Sequence, residues 1–193
     1  FGRALVVGGS RNYLGAISLA ARAAGRTGAG IVTVASPASL RASIAPLCPE
    51  AVHLPLPDQA FPGYIAPLGT PDILHADDHD AFLIGPGLSL HPGSVRFLHE
   101  TLPGMMSESQ TPLVIDADGL NILAGMNNWM ERTPRPLLLT PHPGEMARLA
   151  ELSTTEVQRN RLRLAKDKAQ EWGVVLLLKG AFTIVADPDG RIA

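Results

Sequence analysis

The chain has a single cysteine, Cys48, in 193 residues. That excludes an internal disulfide and a multi-cysteine metal site, and it fits a reduced, cytoplasmic setting. Aromatic residues are scarce at 5%, so the bulk of any core must come from Leu, Val, Ile and Ala. Neither sign of charge dominates. The formal net charge is −2 and the pI about 6.3, which gives no electrostatic reason to expect a nucleic-acid or anionic-membrane partner. No apolar run approaches the ~20 residues of a membrane span. The opening stretch, 1–9, lacks a small-residue cleavage site and reads as a strand, not a signal peptide. What is present is 46% apolar residues, enough for a sizeable core, in a length that suits one large domain. Phe1 stands almost directly at a strand. Asp187-Pro-Asp-Gly190 reads as a hairpin turn whose return strand, 191–193, has barely begun. The expectation is therefore one domain over residues 1–193, incomplete at both ends.

Strand-like apolar runs alternate with helical patterns. Ala4–Val7 reads as a strand ending in Gly8-Gly9-Ser10. Residues 13–24 are Ala-rich, with Leu14, Ile17, Ala20, Ala21 and Ala24 on one helical face. Gly28-Ala-Gly30 stops that helix, and Ile31–Ala35 returns as a strand, giving a right-handed βαβ unit with parallel strands. Further strands are expected at 81–84, 112–115, 137–139, 174–178 and 183–186. Helices are expected near 93–101 and 120–124. One long helix is expected over 154–172, with Ser153 and Glu156 at capping-box spacing. Its arginines and lysines, Arg159, Arg161, Arg163, Lys166 and Lys168, read as a solvated face. The proline-rich stretch 37–80 reads as short elements and loops. This alternation predicts an α/β fold, a mostly parallel sheet covered on both faces. In such folds ligands bind outside the carboxyl ends of the strands. The polar and glycine-rich tails all follow strands, which puts them on one edge of the sheet.

Each tail has a chemical and a structural reading. Gly8-Gly9-Ser10 lacks the Gly-Lys-Ser/Thr end of a phosphate loop. It either aims helix amides at an anion or forms a tight turn. Gly15-Ala16, just behind it, could let a ligand approach. Gly85-Pro-Gly87 either bares backbone to a ligand or turns a strand into a helix. Asp116 and Asp118 could hold Mg2+ or orient a hydroxyl. For Asp118 a helix N-cap is the favoured reading, with Asn121 bonding locally. His142, framed by Pro141 and Pro143, has a stiffened backbone that fixes its imidazole, which favours function. Glu145 suits the first turn of the next helix. Lys179-Gly180 ends an apolar strand with a cation and a bare backbone, which suits a phosphate-bearing ligand. His75-Ala-Asp-Asp-His-Asp80 has a metal-like composition, but it lies off any strand end and reads as a solvated turn. No nucleophile elbow is present.

Six segments in order carry a resemblance. They are 8–16, 26–30, Gly85-Pro-Gly-Leu88, Val114-Ile-Asp-Ala-Asp-Gly-Leu-Asn121, Thr140-Pro-His-Pro-Gly-Glu145 and Leu178-Lys-Gly-Ala-Phe-Thr183. Together they resemble the ADP/ATP-dependent NAD(P)H-hydrate dehydratases, the carboxy-terminal domain of the bifunctional nicotinamide nucleotide repair proteins. The resemblance implies a ribokinase-like three-layer α/β/α sandwich. It implies a lyase that uses ADP (ATP in some members) and Mg2+ to return hydrated NADH or NADPH to the intact dinucleotide, with release of AMP and phosphate. By matching motif, Ala16, Gly87 and His142 would touch the hydrated dinucleotide. Lys179, Gly180, Ala181, Phe182 and Thr183 would bind the adenine nucleotide. A homotetramer is implied, and no metal ligand is assigned. There are two departures. The family's Gly-Ser-Gly-Asp-type segment, with its catalytic Asp, would fall past Ala193, so this segment alone is expected to be inactive. The position after Leu88 is often Gly and here is Ser89. The alternatives are a ribokinase-like kinase of a sugar or vitamin precursor, and a non-catalytic nucleotide-binding module.

Overall fold

The computed structural model describes residues 1–74, 78–108, 110–132 and 136–193. The expected strands are present as β1 (Arg3–Val7), β2 (Ile31–Pro37), β4 (Ala81–Ile84), β5 (Leu113–Ile115), β6 (Leu137–Leu139), β7 (Val175–Leu178) and β8 (Ile184–Ala186). One further strand, β3 (Val52–Leu56), comes from the proline-rich stretch. It was hidden because His53 and Pro55 interrupt its apolar run. It survives because it is an edge strand, where proline is tolerated. The eight strands form one sheet in the order β3-β2-β1-β4-β5-β6-β7-β8. All neighbours pair in parallel except β7 and β8, which form an antiparallel hairpin. The chain's last residues do return: the Val185 and Ala193 amides each donate to the other's carbonyl, at 2.8 and 2.9 Å.

Alternation along the strands sends side chains to two cores. Leu5 and Val7 face one way, and Val6 the other, as the two-residue period requires. On Val6's side lie α1 (Leu14–Arg26) and α2 (Arg41–Ile44), which bury Ile17, Ala21 and Ile44. The larger core takes the strands' other face. It is closed by α3 (Thr70–Leu74), α4 (Pro92–Glu108), α5 (Asp118–Leu123), α6 (Pro143–Leu149), α7 (Thr154–Arg159) and α8 (Arg161–Trp172). Each fully buried Leu or Ile there is worth about 1.5–3 kcal/mol. Helix α4 runs past the expected 101 to Glu108, through Pro103. Buried Leu102, Met105 and Met106 offset a proline that costs about 3 kcal/mol in a helix interior. A register row, Val6, Leu83, Val114, Leu138 and Val175, crosses the sheet on the α1 side. Val6 is buried, whereas the other four are half-buried.

The long helix expected over 154–172 is two helices. Asn160 leaves helical geometry at φ −126°, ψ 27°, ending α7 and preceding α8. Asparagine's short amide competes with helical backbone bonding, which makes it a natural break. The capping box at Ser153 and Glu156 forms as expected. Gly173, left-handed at φ 66°, stops α8. No helix among the described residues is long and apolar enough to cross a membrane.

Candidate functional site

The sheet order reverses at β1, whose neighbours are β2 and β4. That is the switch point where an open α/β sheet leaves a crevice at its carboxyl edge. The edge is tied together strand by strand. The Gly8 amide donates to the Ala35 carbonyl, the Gly85 amide to Val7, the Asp116 amide to Ile84, the Thr140 amide to Ile115 and the Lys179 amide to Pro141, at 2.8–3.3 Å. All five polar tails therefore belong to one fixed rim.

At the β1 and β4 ends the glycines are there for contact. A Cβ on Gly8 would lie 2.3 Å from the Pro86 carbonyl oxygen, and the Gly9 amide donates to that oxygen at 2.9 Å. Gly87 has φ +67°, and a Cβ on it would come within 2.8 Å of the Tyr13 carbonyl oxygen and 3.1 Å of Ala16 Cβ. Ala16 and Gly87, far apart in sequence, thus abut. Ser10 is buried, and its hydroxyl has no hydrogen-bond partner among the described residues. Ser89, where the related pattern often has Gly, takes φ 71°, a left-handed backbone that glycine would hold without strain.

The two aspartates after β5 part company. Between them Ala117 adopts φ 52°, ψ −122°, the first corner of a type II′ turn closed by the Gly119 amide on the Asp116 carbonyl at 3.0 Å. Asp116 accepts from Thr140 Oγ1 at 2.8 Å and from Lys179 Nζ. Asp118 is not the N-cap of α5; Ala117 holds that place. The Asp118 carboxylate accepts the Ser89 amide at 2.8 Å and ties the β4 loop to α5. Asn121 does not bond locally either: its Oδ1 accepts from Arg148 Nη1 at 3.0 Å. The two carboxylates thus have separate hydrogen-bond partners.

His142 is fixed more firmly than its flanking prolines alone would require. It is the N-cap of α6, with Nδ1 accepting the Gly144 and Glu145 amides at 2.9 and 3.3 Å. Glu145, 5% exposed, returns the bond by accepting the His142 amide at 2.8 Å. It forms a capping box with histidine in the usual serine position. Because Nδ1 is an acceptor, the neutral ring carries its proton on Nε2, 3.3 Å from Glu145 Oε1. The ring itself is half exposed.

Lys179, at the end of β7, is an ion-pair partner of Asp116 and no lone cation. The following residues, 180–183, are exposed, and Phe182 is 87% so. Sequence reasoning missed what organises them. Arg161, assigned to a solvated helix face, instead turns its guanidinium onto the carbonyls of Leu178, Lys179 and Phe182 at 3.2, 3.2 and 2.9 Å. Thr140, the partner of Asp116, was also missed as an individual residue. The β4 and β7 ends are three strand spacings apart, about 14 Å, so Ala16 and Gly87 mark one part of the rim and Lys179 another.

Residues 75–77 of the His75–Asp80 cluster lie outside the described residues. The rest of it serves the opposite edge of the sheet: His79 Nε2 stands 3.0 Å from Thr33 Oγ1, and Asp80 accepts the Arg3 amide at 2.8 Å. No group of three or more His, Cys, Asp or Glu residues that could hold a metal occurs among the described residues.

A family profile described as NAD(P)H-hydrate dehydratase matches residues 4–193. A bifunctional NAD(P)H-hydrate repair enzyme of Moorella thermoacetica is 42% identical over 192 residues, covering 100% of this chain and 36% of that one. The Salinibacter ruber enzyme of the same name is 42% identical over 193 residues, covering 98% and 34%. The chain thus spans about a third of the length of these curated relatives. Among solved structures, an ADP/ATP-dependent NAD(P)H-hydrate dehydratase from Bacillus subtilis, co-crystallised with ATP and Mg2+ and soaked with CoA, superposes with a TM-score of 0.79. It is 28% identical, and the match covers 100% of this chain and 64% of that one. A ribokinase-like superfamily protein from Enterococcus faecalis gives a TM-score of 0.81 at 25% identity, covering 99% and 61%. The ribokinase-like fold, the six ordered segments and these relatives agree, and the chain belongs to the NAD(P)H-hydrate dehydratase family.

Proposed function

We propose that this chain is the dehydratase part of an ADP-dependent NAD(P)H-hydrate repair enzyme, a lyase of the cytoplasm that works as a homo-oligomer. The hydrated nicotinamide ring carries a hydroxyl where the intact ring has a double bond. Hydroxide is a poor leaving group. Transfer of the terminal phosphoryl of ADP to that oxygen releases AMP and converts the hydroxyl to a phosphate ester. Loss of phosphate, with departure of a proton from the neighbouring ring carbon, restores the double bond. In this reading Ala16 and Gly87 form the bare wall against which the dinucleotide lies. His142 offers it a fixed Nε2–H. Lys179 meets the phosphates of the adenine nucleotide, and Gly180, Ala181, Phe182 and Thr183 line its other side.

The observation that carries this is the pairing of Asp116 with Lys179 on a rim whose other end is stripped to glycine. It supplies a positioned cation for phosphate, beside a rim where glycines let the β1 and β4 loops pack closely. Preorganised charge of this kind needs no rearrangement at the moment of transfer. A single protein carboxylate suits Mg2+, which is held mainly by water and substrate phosphates. Asp116, already beside Lys179, is the group that would share it. The ion, when bound with ADP, offsets the charge on the transferring phosphoryl. The test supplies hydrated NADPH, ADP and Mg2+ to the full-length protein and follows the return of NADPH absorbance. Absence of any recovery would reject the reading.

A further inference from the structure

We infer that Arg161 is a positioning residue for the adenine-nucleotide loop, and that Gly180 is glycine to make room for it. This rests on the reading of 179–183 as the nucleotide contact. The β7–β8 ladder ends at the pair Leu178 and Ile184. Past that pair, the loop carbonyls have no strand to bond. Arg161 fills the gap. Its Nη1 donates to the Lys179 carbonyl at 3.2 Å, and its Nη2 to those of Leu178 and Phe182 at 3.2 and 2.9 Å. Nη1 also donates to Gln158 Oε1 at 3.3 Å, which steadies the fork from the side of α7.

Two sequence features make this contact possible. The break at Asn160 makes Arg161 the first residue of α8, a separate helix from the α7 that carries Arg159. The bare Gly180 backbone then lets the guanidinium lie against it. A Cβ there would stand 2.6 Å from Nη2 and 2.9 Å from both Nη1 and Cζ. Any side chain at 180 would evict the arginine. A lysine could not replace it, because one point ammonium cannot span three carbonyls as a planar fork does.

The consequence falls on Lys179. Its amide is held by Pro141, its carbonyl by Arg161 and its ammonium by Asp116. With every polar group of the residue tied down, the cation is set before the nucleotide arrives, and binding loses less freedom. Since the guanidinium is spent on carbonyls, its effect on ligand is geometric, and it touches the nucleotide only through the loop.

The test uses the full-length protein with Arg161→Ala and Arg161→Lys. The dissociation constant for ADP is measured by calorimetry, and KM is measured separately for ADP and for hydrated NADPH. Both variants are expected to weaken ADP binding and raise its KM about tenfold or more, the effect of losing one to two net hydrogen bonds. The KM for hydrated NADPH should stay within about twofold, since the Arg161 carbonyl contacts all lie in the loop after β7. Added guanidinium should restore R161A and leave R161K unchanged. An R161A protein that binds ADP as tightly as wild type overturns the inference. So does a loss shared equally by both substrates. If R161A does not fold, R161K, which keeps the charge and the stem, decides by the same two readings. Wild type that binds ADP but repairs no hydrate rejects the dehydratase reading and leaves the Arg161 result standing. Wild type that binds no ADP rejects both.

Discussion

Lys179 is half of an ion pair, and that changes what its removal would do. Lys179→Ala takes away a phosphate contact and also leaves Asp116 with only its hydrogen bond from Thr140 among the described side chains. Both side chains of the pair are partly exposed, at 40% and 28%, so the stability lost is about 1 kcal/mol or less. A charge-assisted phosphate contact is worth more, about 1.5–3 kcal/mol. The expected result is a rise of ten- to a hundredfold, roughly, in the ADP dissociation constant, with a urea midpoint close to wild type. A large stability loss with unchanged affinity would make Lys179 structural. Gly87→Ala should act on the other ligand. Its φ of +67° costs an L-residue about 1–2 kcal/mol, and the new methyl meets Tyr13 and Ala16. We expect a higher KM for hydrated NADPH and an unaltered affinity for ADP, read by the same titrations. Ala117 is the converse case. It already bears a backbone that suits glycine, so Ala117→Gly should raise the urea unfolding free energy by about 1 kcal/mol.

Strands β4 to β7 were legible because two-sided burial writes continuous apolar runs, and their ends were legible because glycine, Asp, His and Lys interrupt those runs. β3 was not, since a histidine and a proline break its pattern on an edge that tolerates them. Contacts between elements left no local trace. Nothing in the sequence around Asp118 announces the Ser89 amide, and Arg161 looks like any helix-surface arginine until the break at Asn160 places it beside β7. The His142 cap did have a signal: His-Pro-Gly-Glu has capping-box spacing, with histidine where serine is usual. The Ser153 box was read correctly, and it gives a pH test. Hydrogen bonds from the Ser153 hydroxyl and amide hold the Glu156 carboxyl below its ordinary range. A depressed carboxyl contributes stability above its unfolded pKa of about 4.3, and that contribution fades as pH falls through the lower folded value. Glu156→Gln removes the charge at every pH. The urea midpoints of wild type and E156Q should differ most near neutrality and draw together in acid. A constant gap down to strong acid would mean that the charge contributes nothing.

The rim is assembled from five strand ends held to one another by backbone hydrogen bonds, so a ligand bound there stabilises the folded state of the whole sheet. ADP at a hundred times its dissociation constant should add about 2.7 kcal/mol. For a domain of this size that corresponds to a rise in Tm of roughly 5–10 °C. Hydrated NADPH, placed against Ala16, Gly87 and His142, should add its own increment. Because Gly87 and Lys179 follow strands about 14 Å apart along the sheet, substitutions at these two residues should combine nearly additively. Lys179→Ala should then lose about half or more of the ADP increment and keep the dinucleotide one, and Gly87→Ala should weaken the dinucleotide increment and keep that of ADP. Thermal melts of the full-length protein, each variant with neither ligand, either one and both, separate these outcomes. A Lys179→Ala protein that retains the full ADP shift would remove the nucleotide from β7. Loss of both shifts in either single variant would mean that the two ends of the rim form one site.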